Sequence, residues 1–290
     1  MEKIIQVRPR VDDSYLPHHL HPVIKQIYAS RQVQDAKELD NSAATLHDFK
    51  LFKDIDKAVL LLQDALASQS RVLIVGDFDA DGATSTATLM QGLAMFGLQN
   101  LDYLVPDRFS LGYGLSPALA EQIVTMQPEL VITVDNGISC IDGIAIVKQA
   151  GIKVLVTDHH LQGEALPNAD AIVNPNRHDC SFPSKSIAGV GVAFYLLIAL
   201  RSHLREQGYF QHNPMPNLAE LLDIVALGTV ADVVALDANN RTLVHQGLAR
   251  IRSGKTRPGI SALIEVANRN AARLSASDFG FSLAPRLNAA

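Results

Sequence analysis

The sequence predicts an α/β fold with a mostly parallel, five-stranded sheet that carries helices on both faces. Short apolar segments alternate with longer segments of helical periodicity, which is the order of a parallel sheet with right-handed crossover helices. The apolar segments are almost continuous runs of Val, Ile and Leu, as expected for parallel strands buried on both faces. The predicted strands are residues 72–75, 103–105, 130–134, 154–156 and 171–173.

Helices are predicted between these strands and after them. Asp54 is expected to cap a first helix, in which apolar residues recur at helical spacing. Pro117 suits the first turn of a helix, and the glycines at positions 97 and 151 suit helix ends. The other predicted helices cover about residues 83–96, 117–126, a segment that ends near 147, 192–204 and 218–227.

The chain is expected to divide into three segments. Residues 1–48 should form an irregular leader, interrupted by prolines, that packs on the core. Residues 49–240 should form the main α/β domain, and the more basic residues 241–290 a helical connector. The contacts that we expect between leader and core are Leu16, Val23, Ile24 and Ile27.

The composition excludes several classes of protein. No apolar run reaches the roughly 18 residues that a membrane helix needs, and the N-terminus has no apolar signal-peptide core. Cys140 and Cys180 are the only cysteines among 290 residues, which argues against a disulfide framework and favours the cytoplasm. The net charge of −5 does not indicate a polyanionic partner, although a bound metal would offset a cluster of acidic ligands.

Acidic side chains and histidines follow three of the predicted strands at their carboxyl ends. In open α/β sheets the ligand crevice lies outside these ends, so the three groups should converge on one site. Asp232 stands alone in an apolar run, and buried carboxylates without a partner are very costly unless a cation neutralises them. The residues at the strand ends are Asp77, Asp79, Asp81, Asp135, Asp158, His159 and His160.

This set of ligands points to metal-dependent hydrolysis of phosphoesters. An oxygen-rich site with one or two imidazoles suits Mn²⁺ or Mg²⁺. There are enough carboxylates for two ions about 3.5–4 Å apart, which together activate water and stabilise the attacking and leaving oxygens. Because successive side chains alternate on extended backbone, one of His159 and His160 would bind metal while the other faces a substrate phosphate.

Two other kinds of site share part of this pattern. Residues 77–82 match the first half of an EF-hand loop, but position twelve is Thr88 where that loop requires Glu, and a strand precedes it. Haloacid-dehalogenase phosphatases also place Asp-x-Asp after a first strand. Their pattern has Thr or Val where this chain has Asp81, so both of these interpretations are disfavoured.

Two further features are each open to two interpretations. Residues 189–191 (Gly-Val-Gly) precede a predicted helix and suit either phosphate binding by backbone N–H groups or close packing of the helix on the sheet. His18, His19 and His21 form either a metal site or a polar, proline-flanked surface.

Taken in order, the motifs resemble those of the DHH phosphoesterase superfamily, and within it the RecJ-type single-strand-specific 5′→3′ exonucleases. The resemblance covers about residues 50–290 and depends on four acidic motifs. They are Gly-Asp-Phe-Asp-Ala-Asp-Gly at 76–82, Val-Asp-Asn-Gly at 134–137, Asp-His-His at 158–160 and Gly-Thr-Val-Ala-Asp at 228–232. Lesser matches are Pro-Asp-Arg at 106–108, Gly-Tyr-Gly-Leu at 112–115, Gly-Val-Gly at 189–191 and Ala-Pro-Arg-Leu-Asn-Ala-Ala at 284–290.

The resemblance implies roles for individual residues. His160 would contact the scissile phosphate, and Arg286 would either bind a substrate phosphate or be an ordinary exposed side chain. Asp77 and Asp158 would be ligands or residues that orient the histidines. The implied ligands of a catalytic pair of Mn²⁺ or Mg²⁺ ions are Asp79, Asp81, Asp135, His159 and Asp232.

The resemblance also implies an activity. Residues 49–240 would form the DHH domain of a 5′→3′ exonuclease that acts on single-stranded DNA in repair and recombination. RecJ-type enzymes continue into a second domain and an oligonucleotide-binding barrel, so residues 241–290 would lead toward the second domain and the chain looks like the catalytic half. Implied partners are single-stranded DNA, single-strand-binding protein and a recombination helicase. The alternatives are a DHH-type phosphoesterase for short oligonucleotides or nucleotide phosphates, and a non-catalytic scaffold.

Overall fold

The computed structural model describes residues 9–107 and 112–289, so Arg108 and Ala290, which belong to two of the motifs, lie outside the described residues. Two helices, α1 (Pro22–Ser30) and α2 (Ile55–Ser68), precede the sheet. The alternating elements are β1 (Val72–Val75), α3 (Ala80–Met95), β2 (Leu101–Leu104), α4 (Pro117–Met126), β3 (Leu130–Val134), α5 (Ile141–Gln149), β4 (Lys153–Thr157) and β5 (Ala171–Val173).

The helices that follow β5 are connected by loops. They are α6 (Gly189–Glu206), α7 (Leu222–Ala231), α8 (Ala238–Arg252), α9 (Pro258–Val266), α10 (Ala276–Asp278), a π-helical turn (Phe279–Leu283) and α11 (Ala284–Asn288). Within the two described ranges, none of the helices combines the length and the apolarity that crossing a bilayer requires.

All five strands pair in parallel, in the order β2-β1-β3-β4-β5. Side chains alternate between the two faces, as the pleat of a strand requires. Ile74 and Ile132 pack into one core with α2, α3, α6 and α7, whereas Leu73 and Val131 pack into a second core with α4 and α5. The predicted fold class is therefore confirmed, and the carboxyl ends of β1, β3 and β4 lie side by side.

Helix α6 is the centre of the larger core. Apolar residues surround it on all sides over most of its length, which is typical of a helix that is buried completely. Gly92 lets α3 approach it closely, because a Cβ atom there would lie 2.2 Å from Leu197 Cδ1. This packing fixes α3 and α6 relative to each other.

Five element starts differ from the prediction. Two of them are α7, which begins at Leu222 instead of 218 because a 3₁₀ helix (Leu218–Leu221) precedes it, and β4, which begins at Lys153 instead of 154. Helix α3 begins at Ala80 and α6 at Gly189, each three residues earlier than predicted, because the polar or glycine residues of the motifs form the first turns. Strand β2 begins at Leu101 instead of 103. It lies at an edge of the sheet and is only partly buried, so it lacks the continuous apolar run that marks the central strands.

Asp54 occupies the N-cap position of α2, as predicted, but its side chain makes no cap hydrogen bond. It lies directly before the helix with φ of +59°. Its carboxylate instead lies 2.6 Å from Arg177 Nη1 and 3.0 Å from Lys57 Nζ. Two cationic partners outweigh the N-cap interaction because charge-assisted hydrogen bonds are the stronger ones.

The leader also differs from its prediction. It contains α1, which begins at Pro22, and Leu16 is buried, but in a small cluster of its own with Ala29 and Val33. The expected contacts of Val23, Ile24 and Ile27 with the core were wrong, since these side chains are 58%, 40% and 43% exposed. Polar contacts to α8 connect the end of the leader to the main domain instead. They are Glu38 with Arg241, Asn41 with Gln246, Thr45 with Thr242, and His47 with Asn239.

Candidate metal centre

The loop after β1 places three carboxylates in a narrow turn. Asp79 caps α3, since its Oδ1 accepts the N–H of Gly82 at 2.9 Å. The first turn of the helix then lies directly against Asp77, where a Cβ atom on Gly82 would be 2.3 Å from the Asp77 carbonyl oxygen. The glycine is therefore required for this turn, which aims Asp77 and Asp79 out of the strand end and Asp81 into the protein.

Asp81 connects α3 to α6. Its carboxylate accepts the N–H of Gly189 at 2.6 Å and that of Val190 at 2.9 Å, so it occupies the positive end of α6. Gly189 also packs closely on Asp135, whose Cβ would lie 2.8 Å from an added Cβ. Of the two interpretations of residues 189–191, close packing agrees with the structure, because Asp81 already occupies the N–H groups that a phosphate would need.

Three buried atoms from three different elements converge at the carboxyl edge of the sheet. His159 Nε2 lies 3.0 Å from Asp135 Oδ1, 3.5 Å from Asp232 Oδ2 and 3.9 Å from Asp81 Oδ2. Despite these distances, Asp135 Oδ1, His159 Nε2 and Asp232 Oδ2 make no hydrogen bond of acceptable geometry within the described residues. Buried polar atoms without partners are rare, and a cation among them would satisfy all three.

The potential ligands form three overlapping groups, in each of which the ligand atoms lie within 4.8 Å of one another. Asp135 belongs to two of the groups and His159 to two. A carboxylate that belongs to two groups, as Asp135 does, has the position expected of a ligand that bridges two ions. The groups are Asp81 with His159 and Asp232, Asp77 with Asp79 and Asp135, and Asp135 with His159 and His160.

The pKa values of four of these carboxylates are raised, as expected for acidic groups that share a site suited to a cation. Burial raises the pKa of Asp77 and Asp81 to about 6 each, and burial together with the charges of Asp81 and Asp79 raises the pKa of Asp232 to about 8. The pKa of Asp135 is shifted in the same direction, by burial first and then by its acidic neighbours. Burial also lowers the pKa of His159 to about 4, so this imidazole is neutral and able to bind a metal.

Asp158 has a different role from the other carboxylates, because hydrogen bonds surround it. It accepts the backbone N–H groups of Ile138 at 2.8 Å, His159 at 2.7 Å and His160 at 3.1 Å, and it lies 2.7 Å from His160 Nδ1. Burial alone would raise the pKa of Asp158, but these bonds, above all the one from the His160 side chain, keep it below its usual range. The same contact raises the pKa of His160.

His160 faces the crevice, with its side chain 46% exposed. The hydroxyl of Tyr113 lies 3.3 Å from His160 Nε2 and donates to the Asp135 carbonyl oxygen at 3.2 Å. A cavity of about 470 Å³ opens beside the two rings, between the first turns of α4 and α5. Sequence reasoning missed Tyr113 as a site residue, although it had noted the Gly-Tyr-Gly-Leu motif that contains it.

The comparisons with known proteins agree with this geometry. Residues 71–229 match the model of the "DHH family, N-terminal domain". The chain belongs to the DHH family. It is 55% identical to the single-stranded-DNA-specific exonuclease RecJ of Escherichia coli, over 100% of this chain and 51% of that protein. It is 34% identical to RecJ of Thermus thermophilus, over 91% of this chain and 36% of that one.

Solved structures of RecJ are also similar to this DHH chain. An exonuclease RecJ bound to manganese gives a TM-score of 0.72 at 36% identity, over 82% of this chain and 57% of that one. RecJ from Thermus thermophilus in complex with Mn²⁺ gives a TM-score of 0.72 at 32% identity, over 89% of this chain and 35% of that one. The chain thus spans about half the length, or less, of the relatives that it matches.

The last motif of this DHH chain reaches the site through Asn288 and not through Arg286. Asn288 Oδ1 accepts the N–H of Ala80 at 2.7 Å, between Asp79 and Asp81 of the first motif. Arg286 is exposed and donates to the Ser282 carbonyl oxygen, and none of its contacts within the described residues reaches the carboxylates. The contact of Arg286 with a substrate phosphate stays a prediction, whereas Asn288 was not singled out from the sequence, since an arginine is the more obvious partner for a phosphate.

The histidines of the leader do not join this DHH site. His21 Nδ1 accepts the N–H of Val23 at 3.3 Å and caps α1. Among the described residues, the groups that are close enough to hold a metal do not include His18, His19 or His21. The polar-surface interpretation of this cluster agrees with the structure.

Proposed function

We propose that this chain holds a pair of Mn²⁺ or Mg²⁺ ions and hydrolyses phosphodiester bonds, as the catalytic part of a 5′→3′ exonuclease for single-stranded DNA. The convergence of Asp135 Oδ1, His159 Nε2 and Asp232 Oδ2, all buried and without hydrogen-bond partners, carries the proposal. The choice of substrate depends on the relatives, which are named as single-stranded-DNA-specific exonucleases.

Each ion has its own group of ligands in this proposal. Asp81, His159 and Asp232 would hold one ion and Asp77 and Asp79 the other, and Asp135 would be a ligand of both. Oxygen ligands with a single imidazole suit Mn²⁺ and Mg²⁺, and the RecJ structures of Thermus thermophilus were solved with both metals. We assign Asp158 to orienting His160, because it lies 2.7 Å from His160 Nδ1 and the three groups of potential ligands among the described residues do not include it.

The side chains around the ions would then bind and orient the substrate. When bound, the ions supply an activated water and neutralise charge on the phosphate. Asp158 raises the pKa of His160, which favours the protonated imidazole, and this side chain would face a phosphate oxygen in the crevice. The phenol of Tyr113 keeps its proton, since burial raises its pKa, and it lies within hydrogen-bond reach of the same imidazole.

Single-stranded DNA labelled at either end tests the proposal. With Mn²⁺, the chain should release mononucleotides from the 5′ end, and Asp79→Ala and His159→Ala should each reduce the rate by at least about 100-fold. Asp56→Asn, an exposed carboxylate in the first turn of α2, is the matched control and should leave the rate unchanged. The RecJ of Escherichia coli serves as the positive control.

The panel of substrates separates the proposal from its alternatives. Preference for short oligonucleotides or nucleotide phosphates over long single strands would favour the small-substrate DHH phosphoesterase. Absence of activity together with absence of Mn²⁺ binding would favour the non-catalytic scaffold and contradict the proposal. Activity that persists in both ligand variants would contradict the ligand assignment.

Three broader proposals follow from the same relatives. We propose residues 1–48 as the leader, 49–240 as the DHH domain and 241–290 as a helical connector toward a second domain. Single-strand-binding protein and a recombination helicase are the proposed protein partners. The cytoplasm is the proposed location, in agreement with the two free cysteines, Cys140 and Cys180.

A further inference from the structure

His159 and His160 lie in a segment that belongs to no helix or strand, so their backbone polar groups need partners elsewhere. Asp158 satisfies both N–H groups, at 2.7 Å and 3.1 Å. Side chains also satisfy both carbonyl groups. Asn176 Nδ2 lies 2.5 Å from the His159 oxygen, and Asn174 Nδ2 lies 3.0 Å from the His160 oxygen. Side chains thus hold the whole polar backbone of the histidine pair.

The two asparagines are themselves held in place by the loop that follows β5. Asn174 is completely buried, and its Oδ1 accepts the N–H of Asn176 at 2.7 Å. Asn176 Nδ2 also donates to the Lys185 carbonyl oxygen at 3.0 Å. The Lys185 ammonium in turn donates to the carbonyl oxygens of Pro175 at 2.5 Å and Cys180 at 2.9 Å. These hydrogen bonds fix the conformation of residues 174–185, which we call the support of the histidine pair.

A second anchor ties the loop to the rest of the fold. Arg177 Nη1 lies 2.8 Å from the Ile172 carbonyl oxygen in β5 and 2.6 Å from Asp54 Oδ2 at the start of α2. Its guanidinium also binds Asp179 at 2.9 Å and 3.0 Å. The support therefore connects the histidines to the edge strand of the sheet and to a helix of the core.

We propose that Asn174 and Asn176 are positioning residues, which set the direction of His159 Nε2 toward the proposed metal ligands. The inference rests on the proposed function. His159 is the only nitrogen ligand in the group with Asp81 and Asp232, so a rotation of its peptide changes the ligand geometry directly. Residues that orient metal-binding histidines affect metal affinity by about 10–100-fold when they are replaced.

The chemistry of the amide explains why asparagine stands at position 176. A carboxamide has two N–H donors on one nitrogen, and Asn176 uses them for two different carbonyl oxygens, those of His159 and Lys185. Aspartate has the same shape but no donor when ionised, so Asn176→Asp would place a carboxylate against two carbonyl oxygens. Asn176 is only partly buried, so its substitution is tolerated better than substitution of the buried Asn174.

Calorimetric titration of the chain with Mn²⁺ tests the inference. Asn176→Asp and Asn176→Ala should each weaken the binding of one ion by about 10–100-fold, and the ion held by Asp77 and Asp79 should be affected less. Asn213→Asp is the matched control, since Asn213 Nδ2 also donates to a carbonyl oxygen, that of Tyr209 at 3.0 Å, but in a loop after α6. The control should bind Mn²⁺ like the wild type.

The concentration of Mn²⁺ gives a readout that a purely structural role would not change. The variants retain every ligand, so saturating Mn²⁺ should restore most of their nuclease rate, while the Mn²⁺ concentration for half-maximal rate rises by the same factor as the dissociation constant. Variants that bind Mn²⁺ like the wild type would overturn the inference and leave the proposed function intact. A wild type that binds no Mn²⁺ would overturn both, and loss of the cooperative thermal transition in both variants would reduce the pair to general determinants of folding.

Discussion

Two groups of buried carboxylates in this protein differ in what neutralises them. Asp223 is 1% exposed and belongs to α7, at the opposite end of the helix from Asp232. Arg257 contacts it with Nη2 at 2.5 Å and Nε at 3.0 Å, and Thr256 adds a hydrogen bond at 3.1 Å. Burial alone would raise the pKa of Asp223, but the hydrogen bonds and charge of Arg257, together with the Thr256 hydroxyl, lower it below its usual range.

The carboxylates at the sheet edge have no such partner. Within the described residues, no Arg or Lys forms an ion pair with Asp81, Asp135 or Asp232, and their pKa values are raised. The same chain therefore contains a buried carboxylate that is paired with an arginine and buried carboxylates that have no Arg or Lys partner among the described residues. Asp223 has its own cation and is structural, whereas we propose that Asp81, Asp135 and Asp232 receive a cation from solution.

The largest expected effect is the loss of activity when one of the carboxylates at the sheet edge is removed. Asp135→Asn keeps the shape of the side chain but removes the bridging charge, so Mn²⁺-dependent cleavage should fall by at least about 100-fold. Rates on 5′-labelled single-stranded DNA, with Asp56→Asn as the control, provide the measurement. An Asp135→Asn variant with the wild-type rate would contradict the proposal that the carboxylates at the sheet edge, unlike Asp223, serve catalysis.

Removal of Asp223, which is paired with Arg257, should affect stability instead. Asp223→Ala leaves Arg257 without its partner, and we expect a loss of about 3 kcal/mol in the free energy of unfolding, at the low end for a broken buried pair because Arg257 is partly exposed. Urea denaturation measures the loss. Lys153→Ala, which breaks an exposed pair with Asp64 at 3.5 Å, is the control and should cost less than about 1 kcal/mol. Equal losses for both variants would contradict the account of Asp223.

The pH dependence of stability should have opposite signs at the two places. The folded pKa values of about 6 for Asp81 and about 8 for Asp232 exceed the unfolded value of 3.8. Between pH 3.8 and these folded pKa values, the metal-free folded protein therefore binds more protons than the unfolded chain. It should therefore lose stability, on the order of 1 kcal/mol or more, as the pH rises from about 4 to about 8. The pKa of Asp223 is lowered, so its contribution is present above the unfolded value and is lost as the pH falls below it.

Denaturation curves in the presence of a chelator and of Mn²⁺ separate these two effects. A bound cation neutralises the carboxylates, so saturating Mn²⁺ should suppress the loss at high pH. It should not change the loss at low pH that depends on Asp223. Identical curves with and without Mn²⁺ would show that the raised pKa values do not reflect a cation site.

The smallest expected effect concerns the backbone beside Asp232. Val233 has φ of +60°, which is costly for a β-branched residue, and its side chain is 87% exposed. Val233→Gly should therefore raise the stability of the metal-free protein by about 1 kcal/mol. If the strained conformation serves to aim the Asp232 carboxylate, the same variant should bind Mn²⁺ more weakly. A gain in stability with unchanged binding would assign the strain to the loop alone.

The regular elements of the sheet were predictable because their signals are local. Strands β3 and β5 and helix α4 have the predicted bounds, since an apolar run or a proline at the first turn marks each of them. The start of α3 was not predictable in the same way. Its first turn consists of metal-motif residues, which look like a polar loop in the sequence.

The support of the site was harder to predict than its ligands. Acidic residues at strand ends are visible in any α/β sequence, because the carboxyl ends of parallel strands meet at one edge. The pairing of Asp223 with Arg257, 34 residues away, and the contact of Asn176 with His159, 17 residues away, depend on the path of the loops. Loop paths follow from tertiary contacts, which local sequence patterns do not encode.

The most direct test of the central claim is a crystal of this chain soaked in Mn²⁺, with anomalous scattering recorded at the manganese edge. The account predicts an anomalous peak among Asp135 Oδ1, His159 Nε2 and Asp232 Oδ2, and a second peak beside Asp77 and Asp79. No peak at the first position, or manganese bound only at other sites such as His18 and His21, would contradict the claim that these unpaired carboxylates are built to receive a cation.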